Sequence, residues 1–392
     1  MSGVFNLREY QVDAVTAGLN YFRNDKTNYS ALMILPTGSG KSLVIAAIAK
    51  ELNQPTLILQ PSKEILEQNY NKLLAYGQDA EIFSASFNRK DIGLLTFATI
   101  GSVINKLDLF QHFKNIIIDE CHLVNAKKGM YRKLLDAIGS KVIGLTATPY
   151  RLTTDGFGGS ILKFLTRTRP RIFKEVIHYT QNGTLFDDDY LARLKYSSID
   201  GFDSTQLQLN STGADYTDSS VRQYYTTIGF VERLQNTVNT CLDHGRKNVL
   251  VFTRFIKESQ TLINQLGNGA EIVTGETPAR ERSAIIERFR SGKTRIVSNV
   301  GVLTTGFDFP ELETIIIARP TMSLALYYQM IGRGIRIHPN KECTWVVDMC
   351  DNFRKFGRVE NLKLVAPKPK LWHIESQGRQ LTNIYYGERN FT

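Results

Sequence analysis

Two apolar runs, at 31–34 and 43–49, flank the sequence Leu35-Pro36-Thr37-Gly38-Ser39-Gly40-Lys41-Ser42. This order predicts a buried strand, a loop of small residues and then a helix. The two glycines allow the loop to turn its backbone N–H groups inward, and the helix offers its positive end to the same point. A loop of this kind is suited to hold a phosphate group.

The side chains of the loop predict that this phosphate belongs to a nucleotide. Lys41 would reach the β- and γ-phosphates, and the Ser42 hydroxyl would bind Mg²⁺ together with water and phosphate oxygens. The strict phosphate-loop pattern has glycine where this chain has Leu35, so a plain turn is the alternative interpretation. The loop residues expected to bind the nucleotide are Thr37, Gly38, Ser39, Gly40, Lys41 and Ser42.

The composition is that of a basic globular protein. The 392 residues predict roughly two to three domains, and 42% of them are hydrophobic. A net charge of +10 favours a polyanionic partner, with nucleic acid first, over a merely soluble basic surface. The sequence contains neither a signal peptide nor an apolar run near the roughly 20 residues of a membrane span, so no membrane partner is expected. The four cysteines form no C-x-x-C pair, which argues against a zinc site.

Short apolar strands alternate with helical segments in two series. The alternation predicts an α/β fold of two tandem lobes, each a mostly parallel sheet covered by helices on both faces. Residues 150–245 interrupt the pattern with glycine-rich, acidic and polar stretches. Strands are predicted at 31–35, 56–60, 93–97, 115–118 and 141–145, and then at 248–252, 270–274, 294–298, 314–318 and 344–348.

Domain boundaries follow from this pattern. The first lobe is predicted at 1–180, a linker or accessory segment at 181–230, the second lobe at 231–365 and a basic tail at 366–392. Within the first lobe, a helix is predicted at 62–75, with Ser62 as its N-cap and Gly77 as its stop signal.

Two further polar motifs follow predicted strands of the first lobe. They are Asp119-Glu120-Cys121-His122 and Thr146-Ala147-Thr148. Because ligands of parallel sheets bind beyond the carboxyl ends of the strands, these motifs and the phosphate loop should share one edge. Asp119 would hold Mg²⁺ and Glu120 would orient and deprotonate the attacking water. A pair of solvated turn carboxylates is the structural alternative.

The order of these motifs resembles the superfamily 2 helicases and translocases of the DExH type, from residue 7 to about 351. Within that superfamily the sequence is most similar to RadD-like DNA-repair ATPases, at 35–42, 119–122, 300–310 and 329–336. The UvsW-like phage recombination helicases are weaker relatives. RadD-like proteins carry a cysteine-rich tail that this sequence lacks, so no function of that tail is expected. The resemblance implies that both lobes are RecA-like.

The resemblance also assigns residues to the remaining parts of the site. Gln329, Arg333 and Arg336 would belong to the arginine-finger motif, with both arginines on one helix face and directed at the nucleotide. The additional nucleotide contacts would be Arg8, Gln11, Gly306 and Asp308, with Asp308 meeting either the ribose or an arginine. The residues expected to contact nucleic acid are Pro61, Ser62, Thr96, Thr99, Thr253, Arg254, Thr304 and Thr305. The residues expected to couple the two sites are His122, Thr146 and Thr148, although a lone histidine such as His122 is as often structural.

The function implied is that of an ATP-dependent helicase or translocase acting on single-stranded or branched DNA in repair, recombination or replication. Its cofactors would be ATP and Mg²⁺. An RNA helicase, an ATP-driven remodeller without strand separation, and a nucleotide-gated binding protein without hydrolysis are the alternatives. We expect a monomer in the cytoplasm of a bacterial or phage-infected cell. The basic tail would bind nucleic acid, dock a repair partner or stay disordered.

Overall fold

The apolar segments of the chain form the strands of two large sheets, each with its own helices. The computed structural model describes residues 6–27, 29–154, 160–304 and 307–384. These residues form two units. The first unit takes its residues from Met1–Arg151, Leu162–Gln181 and Leu364–Ile374, and the second from Leu152–Ile161, Asn182–Lys363 and Glu375–Thr392.

The chain up to residue 181 alternates helices and strands. The helices are α1 (Glu9–Arg23), α2 (Lys41–Leu52), α3 (Lys63–Ala75), α4 (Ile100–Val103) and α5 (Met130–Ala137). The strands are β1 (Ser30–Ile34), β2 (Thr56–Gln60), β3 (Glu81–Ser84), β4 (Arg89–Lys90), β5 (Leu95–Thr99), β6 (Asn115–Ile118), β7 (Lys141–Thr146), β8 (Tyr150–Thr154), β9 (Ser160–Phe164) and β10 (Phe173–Tyr179).

The first sheet has the order β10-β1-β7-β6-β2-β5-β3-β4, and its neighbours are parallel except for β3 and β4. Ile34 at the end of β1 is in register with Thr146 at the end of β7. Ile118 at the end of β6 is in register with Leu59 of β2. The segments that follow β1, β6 and β7 therefore leave the sheet at one edge, as the sequence motifs require. The apolar core of this unit packs the sheet against α1, α2 and α3.

The rest of the chain repeats the alternation. The helices are α6 (Asn182–Asp187), α7 (Asp218–Thr227), α8 (Phe230–Asp243), α9 (Ile256–Leu266), α10 (Ala279–Arg290), α11 (Leu324–Ile331) and α12 (Asn352–Phe356). The strands are β11 (Leu194–Ser198), β12 (Val249–Thr253), β13 (Ala270–Val273), β14 (Ile296–Asn299), β15 (Thr314–Ala318), β16 (Thr344–Asp348), β17 (Leu362–Val365), β18 (His373–Ser376) and β19 (Arg379–Gln380). The second large sheet has the order β11-β16-β15-β12-β14-β13 and is parallel throughout.

The predicted α/β class with mostly parallel sheets is confirmed. All the predicted strands are present, and the largest displacement, at β5 and β14, is two residues. The sequence reasoning missed β10 and β11, which are the outermost strands at one edge of each large sheet. Edge strands are partly exposed and mix polar with apolar residues, so they lack the continuous apolar run of a central strand.

Two segments have more structure than the sequence pattern indicated. Residues 181–230, expected to be a linker or accessory segment, contribute β11, α6 and α7 to the second unit. In the segment expected to be a basic tail, β18 and β19 lie between residues 373 and 380, while residues 385–392 lie outside the described part of the chain. None of the helices within the described ranges combines the length and apolar character that a bilayer crossing demands.

Candidate active site

The loop between β1 and α2 has the geometry of a phosphate-binding loop. Gly38 and Gly40 have φ angles of 80° and 81°, a left-handed conformation that glycine adopts without strain. A Cβ atom on Gly40 would also lie 2.5 Å from Nε2 of Gln11. Ser39 is buried, and its Oγ atom has no hydrogen-bond partner among the described residues. An orphaned hydroxyl inside the loop, next to the N-terminus of α2 at Lys41, fits a phosphate oxygen.

The start of α1 holds this loop from one side. The Tyr10 hydroxyl and Nε2 of Gln11 each donate a hydrogen bond of 2.8 Å to the carbonyl of Ser39. Oε1 of Gln11 accepts one of 2.9 Å from the backbone N–H of Arg8. Both ends of the buried Gln11 amide thus have partners within the protein, and the nucleotide contacts of Arg8 and Gln11 stay predictions. Sequence reasoning missed Tyr10, for which adjacency to Gln11 was the available signal.

Glu120 lies two residues after the end of β6. Its backbone is strained, and its side chain faces two basic side chains. Its φ angle of 48° is uncommon for any residue other than glycine. Its carboxylate lies 3.4 Å from Nζ of Lys41 and 3.2 Å from Nδ1 of His122. Burial opposes the ionisation of Glu120, but Lys41 and His122 outweigh it and lower the pKa of Glu120 below its ordinary value. The carboxylate is therefore ionised and can orient a water molecule by accepting its hydrogen bond.

Asn69 on α3 joins Ser42 to Asp119, and sequence reasoning missed it. Nδ2 of Asn69 donates a hydrogen bond of 2.9 Å to Oδ2 of Asp119, and the Ser42 hydroxyl donates to Oδ1 of Asn69. The buried residues of α3 are Leu66, Asn69 and Leu73. A polar residue on the apolar face of a helix was thus the signal that could have found it.

Ser42 and Asp119 are chemically suited to the Mg²⁺ ion that the sequence predicts. Both offer oxygen atoms, which are the donors that Mg²⁺ prefers. Asp119 is 4% exposed, and burial together with the charge of Glu120 raises its pKa to about 6. A carboxylate buried in this way gains from a nearby cation. The donor set fits the ion, whose binding by these two residues stays a prediction.

His122 connects the end of β6 to the end of β7. Its Nδ1 atom lies 3.0 Å from Oγ1 of Thr146, and that oxygen accepts a hydrogen bond of 3.0 Å from the N–H of Thr148. The guanidinium of Arg151 donates to the His122 carbonyl at 3.2 Å. Through Glu120, these residues form a polar line that begins at Lys41. This chain of polar contacts is compatible with the coupling role predicted for His122, Thr146 and Thr148. The coupling role itself stays a prediction.

In the second unit, the two arginines predicted to act as fingers bind the segment that follows β14. Nη1 of Arg333 donates to the carbonyl of Phe307 at 2.7 Å, and Nε of Arg336 lies 2.9 Å from Oδ1 of Asp308. Asp308 thus contacts an arginine, and its contact with the ribose stays a prediction. Nε of Arg333 also donates to the carbonyl of Gln329, at 3.4 Å.

The prediction that both arginines share a helix face is wrong. The helix that contains Gln329 ends at Ile331, so Arg333 lies in the turn that follows and Arg336 in the irregular segment after that turn. Gly332 and Gly334 explain the early end, because glycine lowers helix stability through its conformational entropy.

Of the first-unit residues predicted to contact nucleic acid, three lie at the carboxyl edge of the sheet. Pro61 and Ser62 follow β2, and Ser62 caps α3 by accepting a hydrogen bond from the N–H of Ile65, which confirms its predicted N-cap role. Thr99 ends β5, with its hydroxyl 3.0 Å from that of Ser102. Thr96 differs, because it is fully buried near the start of β5, where its hydroxyl accepts a hydrogen bond from the Gly93 N–H and donates one to the Gly93 carbonyl.

Among the second-unit residues predicted to contact nucleic acid, Thr253 and Arg254 have hydrogen-bond or ion-pair partners within the protein. Thr253 is 1% exposed, with its hydroxyl 2.6 Å from that of Ser259. Arg254 forms ion pairs with Asp215 at 3.2 Å and Asp218 at 2.9 Å. Thr304 is partly exposed beyond the end of β14. Thr305 and Gly306 lie outside the described residues.

Comparison with known proteins agrees with this geometry. The family "Type III restriction enzyme, res subunit" matches residues 4–151, and "Helicase conserved C-terminal domain" matches residues 231–338. These two matches place residues 4–151 and 231–338 in helicase superfamily 2. The Saccharomyces cerevisiae protein IRC3 is 24% identical over 87% of this chain and 51% of its own length. The DNA 3'-5' helicase XPB of Kineococcus radiotolerans is 29% identical over 79% of this chain and 53% of its own length.

The solved structure of the ATP-dependent Type ISP restriction-modification enzyme LlaBIII bound to DNA shares the fold. It superposes with a TM-score of 0.64 at 19% identity, over 88% of this chain and 28% of that one. The predicted RecA-like lobes of this superfamily member are thereby confirmed. The chain spans only about half the length of IRC3 and of the XPB protein. The finer resemblance to RadD-like proteins stays a prediction.

Proposed function

We propose that the chain is an ATP-driven helicase or translocase that acts on DNA. One observation carries this proposal: Lys41, Ser42, Asp119 and Glu120 meet at one edge of the first sheet, around a loop with the geometry of a phosphate site. The strained Glu120 backbone and the buried Ser39 hydroxyl without a hydrogen-bond partner both cost stability. Such features are expected at a binding site and not in a turn that only connects a strand to a helix. The net charge of +10 and the DNA named for the XPB and LlaBIII proteins support a DNA partner.

In this proposal the first unit binds ATP and prepares the attacking water. Lys41 exchanges its contact with Glu120 for the β- and γ-phosphates, while Glu120 holds and accepts a proton from the water. Ser42 and Asp119 would hold Mg²⁺, which would supply positive charge to stabilise the phosphate groups. Asn69 fixes the mutual position of these two side chains.

We propose Arg333 and Arg336 as the arginines that bind the γ-phosphate during turnover. Each arginine must then give up its present partner, the Phe307 carbonyl or the Asp308 carboxylate. Because both partners lie in the segment after β14, binding and hydrolysis of the nucleotide would change the position of that segment. The same segment carries Thr304. This exchange would link ATP hydrolysis to the grip on nucleic acid.

The proposed nucleic-acid contacts are those at the carboxyl edges of the two sheets. Pro61, Ser62 and Thr99 serve in the first unit and Thr304 in the second, and contacts of this kind position a strand without reading its sequence. We leave Thr96 out because it is fully buried at the other end of β5. Thr253 is equally enclosed and acts by supporting the strand end.

The ATP site is tested with Lys41→Ala, using Lys50→Ala as the matched control. Lys50 lies on the same helix but is exposed, donates a hydrogen bond to the Tyr76 carbonyl and lies over the Tyr76 ring. We expect Lys41→Ala to lower ATP turnover by about 10²-fold or more and Lys50→Ala to leave it unchanged. Glu120→Gln should still bind ATP and hydrolyse it poorly. Normal turnover by Lys41→Ala would refute the proposal.

The nucleic-acid partner is tested by measuring ATP turnover with single-stranded DNA, branched DNA and RNA side by side at one salt concentration. The proposal expects the largest stimulation from one of the two DNA forms. Stimulation by RNA alone would instead identify an RNA helicase, and equal turnover with and without every polymer would refute a motor.

A further inference from the structure

Arg319 and Arg254 occupy equivalent positions on neighbouring strands of the second sheet. Arg254 follows β12 and Arg319 follows β15, and the last residues of these parallel strands, Thr253 and Ala318, are in register. The two arginines therefore leave the sheet side by side at its carboxyl edge. This is also the edge from which the segment carrying Thr304 departs after β14.

The two arginines differ in how their charges are satisfied. Arg254 binds the carboxylates of Asp215 and Asp218 and donates to the carbonyl of Tyr216 at 2.7 Å. The guanidinium of Arg319 forms no hydrogen bond or ion pair with any residue in the described ranges, and its Nε atom is fully buried. Asp215 and Asp218 lie near Arg319 as well, but they direct their oxygens to Arg254 and, from Asp215, to the N–H of Met322.

An arginine in this position destabilises the folded protein unless something binds it. Burial lowers the pKa of Arg319; the Asp215 carboxylate acts in the opposite direction, while Arg254 adds to the lowering. Asp218 and the Tyr225 phenol are the other titratable groups nearby, and both act in the same direction as Asp215. A partly buried guanidinium whose Nε donor has no partner loses hydration at that atom without regaining a hydrogen bond. Such a residue is expected where an external anion completes the site.

We propose that Arg319 binds a backbone phosphate of the nucleic acid on the second unit. The inference rests on the nucleic-acid binding proposed above and assigns a contact that the sequence motifs did not include. A phosphodiester suits the position because guanidinium forms paired hydrogen bonds with phosphate oxygens. Arg254, already neutralised by two carboxylates, serves instead to hold residues 215–218 against the strand ends.

The test compares Arg319→Met with Arg193→Met as matched control. Arg193 lies in the same unit, and its 78% exposed side chain forms an ion pair with Asp189. Binding of fluorescent dT20 and rU20 oligonucleotides is measured over a series of salt concentrations, together with the thermal unfolding midpoint of the free protein. We expect Arg319→Met to weaken binding by about tenfold. Its slope of log K against log salt should fall by about 0.7, the value for one phosphate of a single strand.

The unfolding midpoint separates a binding role from a structural one. Because methionine removes an unsatisfied charge, Arg319→Met should unfold at the same temperature as the parent or higher, and Arg319→Lys should restore part of the binding. A lower midpoint in Arg319→Met would assign Arg319 to the fold and overturn the inference. A raised KM for ATP without nucleic acid would assign it to the nucleotide instead.

The remaining outcomes distinguish the inference from the function on which it rests. If the parent protein binds both oligonucleotides but Arg319→Met matches it in affinity and salt slope, the inference alone is wrong. If the parent binds neither oligonucleotide, the inference is wrong, and the proposed function is refuted as well only when branched DNA also fails to stimulate ATP turnover.

Discussion

Gly144, in the middle of β7, allows the segment after β6 to pack closely against the sheet. A Cβ atom at this position would lie 2.6 Å from Cε1 of Phe173, 2.7 Å from Sγ of Cys121 and 2.8 Å from its Cβ. These contacts are about 0.6 to 0.8 Å shorter than the 3.4 Å at which ordinary contacts begin. Gly144→Ala must therefore displace Cys121, which directly follows the strained Glu120.

The size of the effect follows from this overpacking. Extra carbon atoms in a packed core cost about 1–3 kcal/mol of stability. Because Cys121 is fully buried and next to Glu120, its displacement should also lengthen the 3.4 Å contact between Glu120 and Lys41. A shift on the order of 1 Å in a catalytic group can lower turnover by about 10²-fold. We therefore expect the folded variant to lose most of its ATP turnover.

Stability of the first unit can be followed by itself. The chain has two tryptophans, and Trp372 belongs to the first unit while Trp345 belongs to the second. In a Trp345→Phe background, the fluorescence of Trp372 during urea unfolding reports on the unit that contains Gly144. Gly139→Ala is the matched control, since a Cβ there meets no atom within 4 Å. Equal urea midpoints and equal turnover for the two alanine variants would refute the packing argument.

Two other predictions concern buried polar side chains. Asn69→Ala should lose about 1–3 kcal/mol of stability and most ATP turnover, because it leaves Asp119 and Ser42 without a shared hydrogen-bond partner. Asn71 is exposed on the same helix, so Asn71→Ala should resemble the parent. Equal behaviour of the two variants in urea unfolding and ATPase assays would contradict this prediction. For Lys341, which is 8% exposed and donates to the carbonyl of Gly334 at 2.9 Å, burial lowers the pKa to about 8. Between pH 8 and the ordinary pKa of lysine, the unfolded chain binds more protons than the folded protein, so the free energy of unfolding rises with pH. From pH 8 to 9.5, the free energy of unfolding of the parent should therefore increase by up to about 1.4 kcal/mol per pH unit relative to that of Lys341→Met. A difference in urea midpoint between the two proteins that stays constant over this range would contradict the prediction.

The central strands and the polar motifs that follow them were predictable because they depend on local sequence. Apolar runs such as the one in β6 are buried on both faces of a sheet, and the residue types at their ends must suit the chemistry at the edge. The edge strand β11 could not be predicted in this way. Its alternating side chains form a strand only because β16 offers a free edge in register.

The roles proposed for Lys41, Asp119 and Glu120 depend on their side chains and on their order along the chain, so the sequence by itself predicted these roles, and it determined the α/β class. Asn69 and Arg319 acquire their roles only from their surroundings. An asparagine becomes a bridge when α3 presents it to Ser42 and Asp119, and an arginine becomes a candidate ligand when nearby carboxylates bind its neighbour. Such roles depend on which distant residues satisfy a buried polar group, and only tertiary packing sets those partners.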